Sequence, residues 1–310
     1  MREIKKVIWA TDGSKESEEA LNYARFFAQR FNSQIIGVYV IEMQQRLLYD
    51  YSRDPDSERY RWVEKAVETH KSRLVSIAEK LGVQGLSFRA EVLIGEPSNE
   101  IVAVARSEKA DLIVMGKRGL GLIGRMLIGS TAIKVLRESS VPVLAVNKRD
   151  KEGAIDIRNI LVPLDVYEKT DSALNYAIDL AQKINANISV VYAFRLDTYA
   201  TLEVEIPPNV INELIEDLLK FSSTELTKRV EKVKLKLKTD NKETDKLEIN
   251  TEVIQGLSPS MRIVEYATSK NMDLIVINTH GRKGIKKFIL GSVTEKVIQE
   301  SHCAVLALRP

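Results

Sequence analysis

Cysteine is all but missing from this 310-residue chain. The single one, Cys303, excludes an internal disulfide framework and suits a reducing compartment. Histidine is nearly as scarce, and His302 beside Cys303 is too small a set for a zinc shell, so no metal site is expected. Long apolar runs are absent as well. The opening MREIKKVIWATDGS passes from two lysines into a short apolar strand, with neither a secretory core nor a membrane-spanning length. Nor is there an excess of one charge: 46 basic against 43 acidic side chains leave +3, which argues against a nucleic-acid partner. The expectation is a soluble cytoplasmic protein with no membrane and no nucleic acid among its partners.

What is present is a repeat. Hydrophobic content of 44% and charged content of 29% describe an ordinary globular protein, long enough for two domains of about 150 residues. KKVIWATDGSKESEEALNYARFFAQRFNSQIIGVYVIE at 5–42 reads as strand, helix, strand, and RNILVPLDVYEKTDSALNYAIDLAQKINANISVVYAF at 158–194 repeats the plan. Asp165 then stands for Asp12, and ALNYA recurs at 173–177. Lys5–Ala10 and Gln34–Ile41 are the first two strands. Ala20, Leu21, Ala24, Phe27, Ala28 and Phe31 recur at helical spacing between them. Later, DLIVMGKRG at 111–119 matches DLIVINTHG at 273–281, and VPVLAVN at 141–147 matches HCAVLAL at 302–308. The second half carries extra residues in between, assigned to the lysine-rich stretch from Glu231 to Asp245. The charged segment VNKRDKEGAIDIRN contains the boundary. The domains are read as 1–147 and 158–310, with 148–157 as linker.

Alternating strands and helices predict, in each half, a five-stranded parallel sheet covered by helices on both faces. Continuously apolar strands such as Leu112–Met115 and Leu274–Ile277 fit burial on both sides. Right-handed crossovers then leave a crevice where the strand order reverses. Asp12 falls just beyond strand 1 there, and the turn Gly116–Gly119 just beyond strand 4. Nine intervening residues separate Gly119 from Gly129, which is followed by Ser130, Thr131 and a helix-like run. Glycines allow close backbone approach, and a helix N-terminus attracts anions through its free amides and dipole.

On these residues both halves resemble the universal stress protein family over nearly their whole length. Gly116, Gly119, Gly129 and Ser130 match its Gly-x2-Gly-x9-Gly-(Ser/Thr) nucleotide motif without a gap. The resemblance implies tandem Rossmann-like domains of the adenine nucleotide alpha hydrolase-like fold. It also implies Asp12 against the nucleoside, the backbone of Val40 at the end of strand 2 against adenine, and the amides of Gly129, Ser130 and Thr131 on phosphates. Lys117, Arg118 and Arg125 add positive charge. The cofactor implied is ATP, with ADP or AMP as alternatives and Mg2+ as an optional companion.

The second half departs from the pattern. Its corresponding positions are Asp165, Ala193, Asn278, Gly281, Gly291, Ser292 and Val293. Asn278 replaces the first glycine; asparagine tolerates left-handed backbone, so the turn is expected to survive, with a side chain intruding on the site. Tyr167 either crowds the site or stacks on a base. Tight nucleotide binding is therefore expected in the first domain and weaker or no binding in the second.

Plainer readings stand beside these. Asp12 is also a candidate helix cap, and Ser130 and Ser292 are candidate N-caps. His280 reads as a solvated loop residue and His70 as a helical residue without a function. His302 and Cys303 read as the lead-in to a buried last strand. Lys232–Lys238 is either a solvated edge strand or the end of a long helix with Leu214, Leu218, Leu226, Val230 and Val233 on its apolar face. The span Met43–Arg61, with Tyr49, Tyr51 and Tyr60, reads as a long loop: a lid, a partner surface or a connection.

No Ser/His/Asp order, His-Glu-x-x-His motif or P-loop ending is present, so no catalytic residue is assigned. The reading is an ATP-binding stress-response sensor module, at most a slow ATPase, acting on an unidentified protein partner. The alternative is a nucleotide-independent interaction scaffold. Family members dimerise through their last strands. By that resemblance Val141–Val146 and Ala304–Leu308 are expected to pair inside one chain as a pseudo-dimer, leaving open a homodimer of two chains.

Overall fold

The computed structural model describes residues 3–43, 58–119, 128–149, 153–168, 170–195, 207–239, 247–279 and 290–310. They gather into two compact units, Met1–Ile155 and Asp156–Pro310. The first contains β1 (Lys6–Thr11), α1 (Lys15–Phe31), β2 (Gln34–Glu42), α2 (Glu58–Gly82), β3 (Phe88–Gly95), α3 (Pro97–Ser107), β4 (Leu112–Gly116), α4 (Ser130–Glu138) and β5 (Val143–Val146). Its strands lie in the order β3-β2-β1-β4-β5, every pair parallel. The second contains β6 (Asn159–Pro163), α5 (Ser172–Ile184), β7 (Asn187–Arg195), α6 (Pro208–Thr239), β8 (Ile249–Gly256), α7 (Pro259–Ser269), β9 (Leu274–Asn278), α8 (Ser292–Glu300) and β10 (Ala304–Leu308). The order is β10-β9-β6-β7-β8, again all parallel. Each unit is thus a doubly wound five-stranded parallel sheet, as expected.

The central strands are apolar because helices cover both faces. Val7, Ile8, Leu112, Ile113 and Val114 are fully buried, as are Ile160, Leu161, Leu274 and Ile275. Two local devices recur. Before β4, Asp111 accepts the Lys5 and Lys6 amides at 2.8 and 3.1 Å; before β9, Asp273 accepts those of Arg158 and Asn159, both at 2.9 Å. Helices α1 and α5 end on left-handed asparagines, Asn32 and Asn185, whose amides reach back to Ala28 and Ala181.

Some expected boundaries move. Strand β1 runs on to Thr11, which puts Asp12 directly at its end. Strand β5 starts at Val143 rather than Val141, since Pro142 has no amide to give the ladder. Tyr60 and Arg61 lie in helix α2 rather than in a loop, while Tyr49 and Tyr51 fall outside the described residues. Lys232–Lys238 is helical, the end of α6, with Leu226, Val230 and Val233 buried along one stripe. Part of the second half's extra length therefore lengthens this helix.

Trp9 joins β1 to α1 at the point that sets the Asp12 turn. Its side chain is 1% exposed and its Nε1 donates to the Ser17 carbonyl at 2.7 Å. Trp9→Phe removes that donor and leaves a cavity, and should cost about 1–3 kcal/mol of stability. Urea denaturation with an unchanged m-value would show this.

Candidate functional site

In the first unit β1 and β4 are neighbours that the chain leaves in opposite directions, so their C-terminal ends bound the crevice. Asp12 Oδ1 accepts the Ser14 amide at 2.9 Å, a local turn. Capping of α1 falls to Ser14, whose Oγ accepts the Ser17 amide at 3.2 Å. Asp12 thus folds the turn and presents its carboxylate beyond the strand. Gly119 is drawn against it: a Cβ there would lie 2.5 Å from Asp12 Oδ2. A Cβ on Gly116 would lie 2.9 Å from Glu16 Cβ. Neither glycine has a positive φ, so close approach, not left-handed backbone, requires them.

Helix α4 starts with Gly129 as N-cap, with no side chain capping it. The Gly129 amide donates to the Lys117 carbonyl at 2.8 Å. Of the expected phosphate-holding set, that amide is committed to the protein's own backbone in this structure. The amides of Ser130 and Thr131 are, with that of Ala132, among those that helix geometry leaves without an intrahelical acceptor. The expected basic surround is also modified. Lys117 is 1% exposed, turned into the protein, and Arg118 pairs with Glu16 at 3.5 Å. Arg125 lies outside the described residues. Val40 is half-buried on β2, which continues two residues past it to Glu42.

Three residues that sequence reasoning missed flank this edge. Tyr39 and His70 stack with centroids 3.8 Å apart and planes 16° apart. Burial, reinforced by the Asp12 charge, pushes the Tyr39 hydroxyl pKa up. Burial, reinforced by Arg73, pushes the His70 pKa down. Arg73 pairs with Glu18 at 3.3 Å, and its Nη1 lies 2.8 Å from where a Cβ of Gly13 would sit. With Thr11 and Trp9 these residues line a cavity of about 40 Å³. His70, read as having no role, belongs here. The available signal was the spacing of His70, Arg73, Leu74 and Ile77, one helix face.

The second unit repeats the frame with different side chains. Asp165 Oδ1 accepts the Tyr167 amide at 3.0 Å, the same turn. Arg229, from α6, straps it through three bonds: to Asp171 Oδ1 at 2.7 Å, the Asp165 carbonyl at 2.6 Å and the Thr170 carbonyl at 2.7 Å. The Gly291 amide donates to the Thr279 carbonyl at 2.8 Å, and α8 again lacks a side-chain cap.

Asn278 does not occupy left-handed backbone; it ends strand β9 and is 5% exposed. Its side chain does fill the corner, in a bridge. Nδ2 donates to Glu168 Oε1 at 2.8 Å, and Oδ1 accepts from Ser172 Oγ at 2.7 Å. Tyr167 packs edge-on to Tyr192, with centroids 6.4 Å apart, and flat on Phe221 at 6.2 Å. Asp165, Ala193, Asn278, Gly291, Ser292 and Val293 all line one cavity of about 580 Å³. Gly281 and His280 lie outside the described residues. Of these two cavities, as lined by the described residues, the larger is in the unit whose motif is incomplete.

Glu168 also lines that cavity, and sequence reasoning missed it. Burial pushes its carboxyl up to about 7, with the Asp165 and Asp171 charges adding and the Asn278 bond and Arg229 opposing. The folded state therefore holds a proton that the unfolded chain releases near the ordinary carboxyl value. This contribution is complete below that value and lost as pH rises through about 7. Solvent screening reduces it to on the order of 1 kcal/mol. Denaturation of wild type and Glu168→Gln between pH 5 and 8 should show a stability difference that shifts by that amount in favour of the variant as pH rises.

The chain thus consists of two tandem, doubly wound α/β units, each with a carboxylate turn and a glycine-capped helix at the edge of its parallel sheet. The profile of the universal stress protein family matches residues 3–147 and again 156–309, and the chain belongs to that family. A universal stress protein of Methanocaldococcus jannaschii is 33% identical over 152 residues, covering 49% of this chain and 82% of the relative. One from Mycobacterium bovis is 23% identical over 308 residues, covering 98% of this chain and 96% of the relative. Among solved structures, a universal stress protein from Archaeoglobus fulgidus shares the fold over 99% of both chains, with a TM-score of 0.69 at 21% identity.

Proposed function

We propose that the first unit binds ATP and that its occupancy, rather than turnover, is the protein's output in a stress response. The carrying observation is the uncapped N-terminus of α4 at the same sheet edge as Asp12 and Gly119. The Ser130 and Thr131 amides and the helix dipole hold phosphate oxygens, with the Ser130 hydroxyl as a further donor. Asp12 accepts from ribose hydroxyls, and the Val40 backbone meets the adenine edge. Mg2+ accompanies the triphosphate from solution.

Gly129 supports the reading by what it does not do. Among the described residues a Cβ there would meet nothing closer than 3.5 Å, and its φ of −65° suits any residue. Those neighbours do not require glycine at that position, whereas a phosphate seated on the helix start does. Binding to the folded state would stabilise it by about 2.7 kcal/mol at a hundredfold excess over Kd, enough to bias a partner-binding surface.

Denaturing the purified protein and counting the nucleotides released tests this. One adenine nucleotide attributable to the first unit is expected, absent in Gly129→Arg, with Gly129→Ala retaining its fold and Tm within a few degrees. A nucleotide count unchanged by Gly129→Arg, or no ATP binding at all, would contradict it and favour the interaction scaffold.

A further inference from the structure

Beyond β5 the chain does not leave the first unit at once, because that unit runs on to Ile155. Arg149 ties this stretch down. Its Nε donates to Glu19 Oε1 on α1, its Nη2 to the Gly153 carbonyl at 2.8 Å and its Nη1 to the Ala154 carbonyl at 3.5 Å. Gly153 has a φ of +130°, with open space where a Cβ would sit, so the backbone alone requires glycine there. That turn brings two successive carbonyls to one guanidinium. The Arg149 and Glu19 side chains are 26% and 12% exposed, and salt screens such a pair less than a surface one.

The same face of α1 touches the crevice loop. Glu16, one turn before Glu19, pairs with Arg118 Nη2 at a longer 3.5 Å. Arg118 Cα lies 3.7 Å from where a Cβ of Gly129 would sit, beside the start of α4. Residues three apart on a helix are neighbours. Two adjacent carboxylates therefore hold two arginines, one from the crevice loop and one from the linker. Glu18, between them in sequence, pairs with Arg73 instead.

We propose that the linker is a strap buckled onto α1 by Arg149, and that a phosphate bound at the start of α4 tightens it. The inference rests on the reading that the first unit binds ATP there. Arginine makes strong charge-assisted bonds to phosphate, so the ligand draws the Arg118 guanidinium away from Glu16. Arg149 then faces two carboxylates that lack another cation, where before it faced one. The stretch from Arg149 to Ala154 is held more firmly, and occupancy is read out on the segment that leads into the second unit.

Lys151 lies outside the described residues, so the test reads trypsin cleavage after Lys148, identified by intact mass. When docking and release are fast, that rate follows the undocked population. In nucleotide-free protein, Glu19→Gln should speed cleavage about tenfold, whereas Glu18→Gln should leave it unchanged. Saturating ATP should slow cleavage of the wild type about fivefold, and adenosine, which has no phosphate, should not. Glu16→Gln should still bind ATP by isothermal titration, with the slowing lost. Cleavage of Glu19→Gln at the wild-type rate, no slowing in protein that titration shows to hold ATP, or slowing that survives Glu16→Gln would overturn the proposal. Absence of ATP uptake would overturn the reading beneath it, and the coupling with it, while the Glu19→Gln rate still reports on the buckle alone.

Discussion

In both units a pair of backbone hydrogen bonds holds a helix N-terminus at the edge of the sheet. The residue after the fourth strand still donates to the last strand, Lys117 to Val146 at 2.8 Å and Thr279 to Leu308 at 2.7 Å. Its carbonyl then receives the amide of the N-cap glycine, at 2.8 Å in each case. Eleven residues of chain separate the partners, yet the helix start is pinned to the strand end. The start of the helix is thereby held beside the end of the strand in each unit. The dipole of its first-turn amides, and their lack of intrahelical acceptors, are the features on which the proposed anion binding rests.

Opposite this fixed edge stands the carboxylate turn, and the two units stabilise it differently. In the first, Arg73 makes one half-exposed ion pair to Glu18 beside the turn. In the second, Arg229 is nearly buried and spends its guanidinium on three acceptors of the turn itself. Charge-assisted bonds of that kind hold a loop more firmly than an exposed pair does. The second turn is thereby braced, and Glu168 is carried into a corner where burial pushes its carboxyl up to about 7. The same frame thus carries different side chains in the two units, with the cavity of the second lined by Tyr192, Phe194 and Glu168.

Much of this architecture was legible in the amino-acid order. Strands such as Leu112–Met115 announce burial on both faces, and the repeated ALNYA and DLIV segments fix the two-unit plan. Glycine spacing marked Gly119, which the structure sets against Asp12. What escaped depends on contacts distant in sequence or on hydrogen-bond direction. Arg229 lies 58 residues from Asp171 along the chain, and Asn278 lies 110 from Glu168. No local period links such partners. The commitment of the Gly129 amide to Lys117 depends on backbone geometry that a motif does not encode. Likewise Asn278 was read for its backbone tolerance, whereas the structure uses its amide to bridge two elements.

The direct test of the central claim follows the backbone amides of the first-turn residues. Ser130 and Thr131 resonances in an amide NMR spectrum of the full chain should shift strongly on adding ATP, and much less with adenosine. The Gly129 amide, held by Lys117, should shift less than either. ATP binding that leaves Ser130 and Thr131 unmoved would contradict the account, because the phosphates would then lie elsewhere.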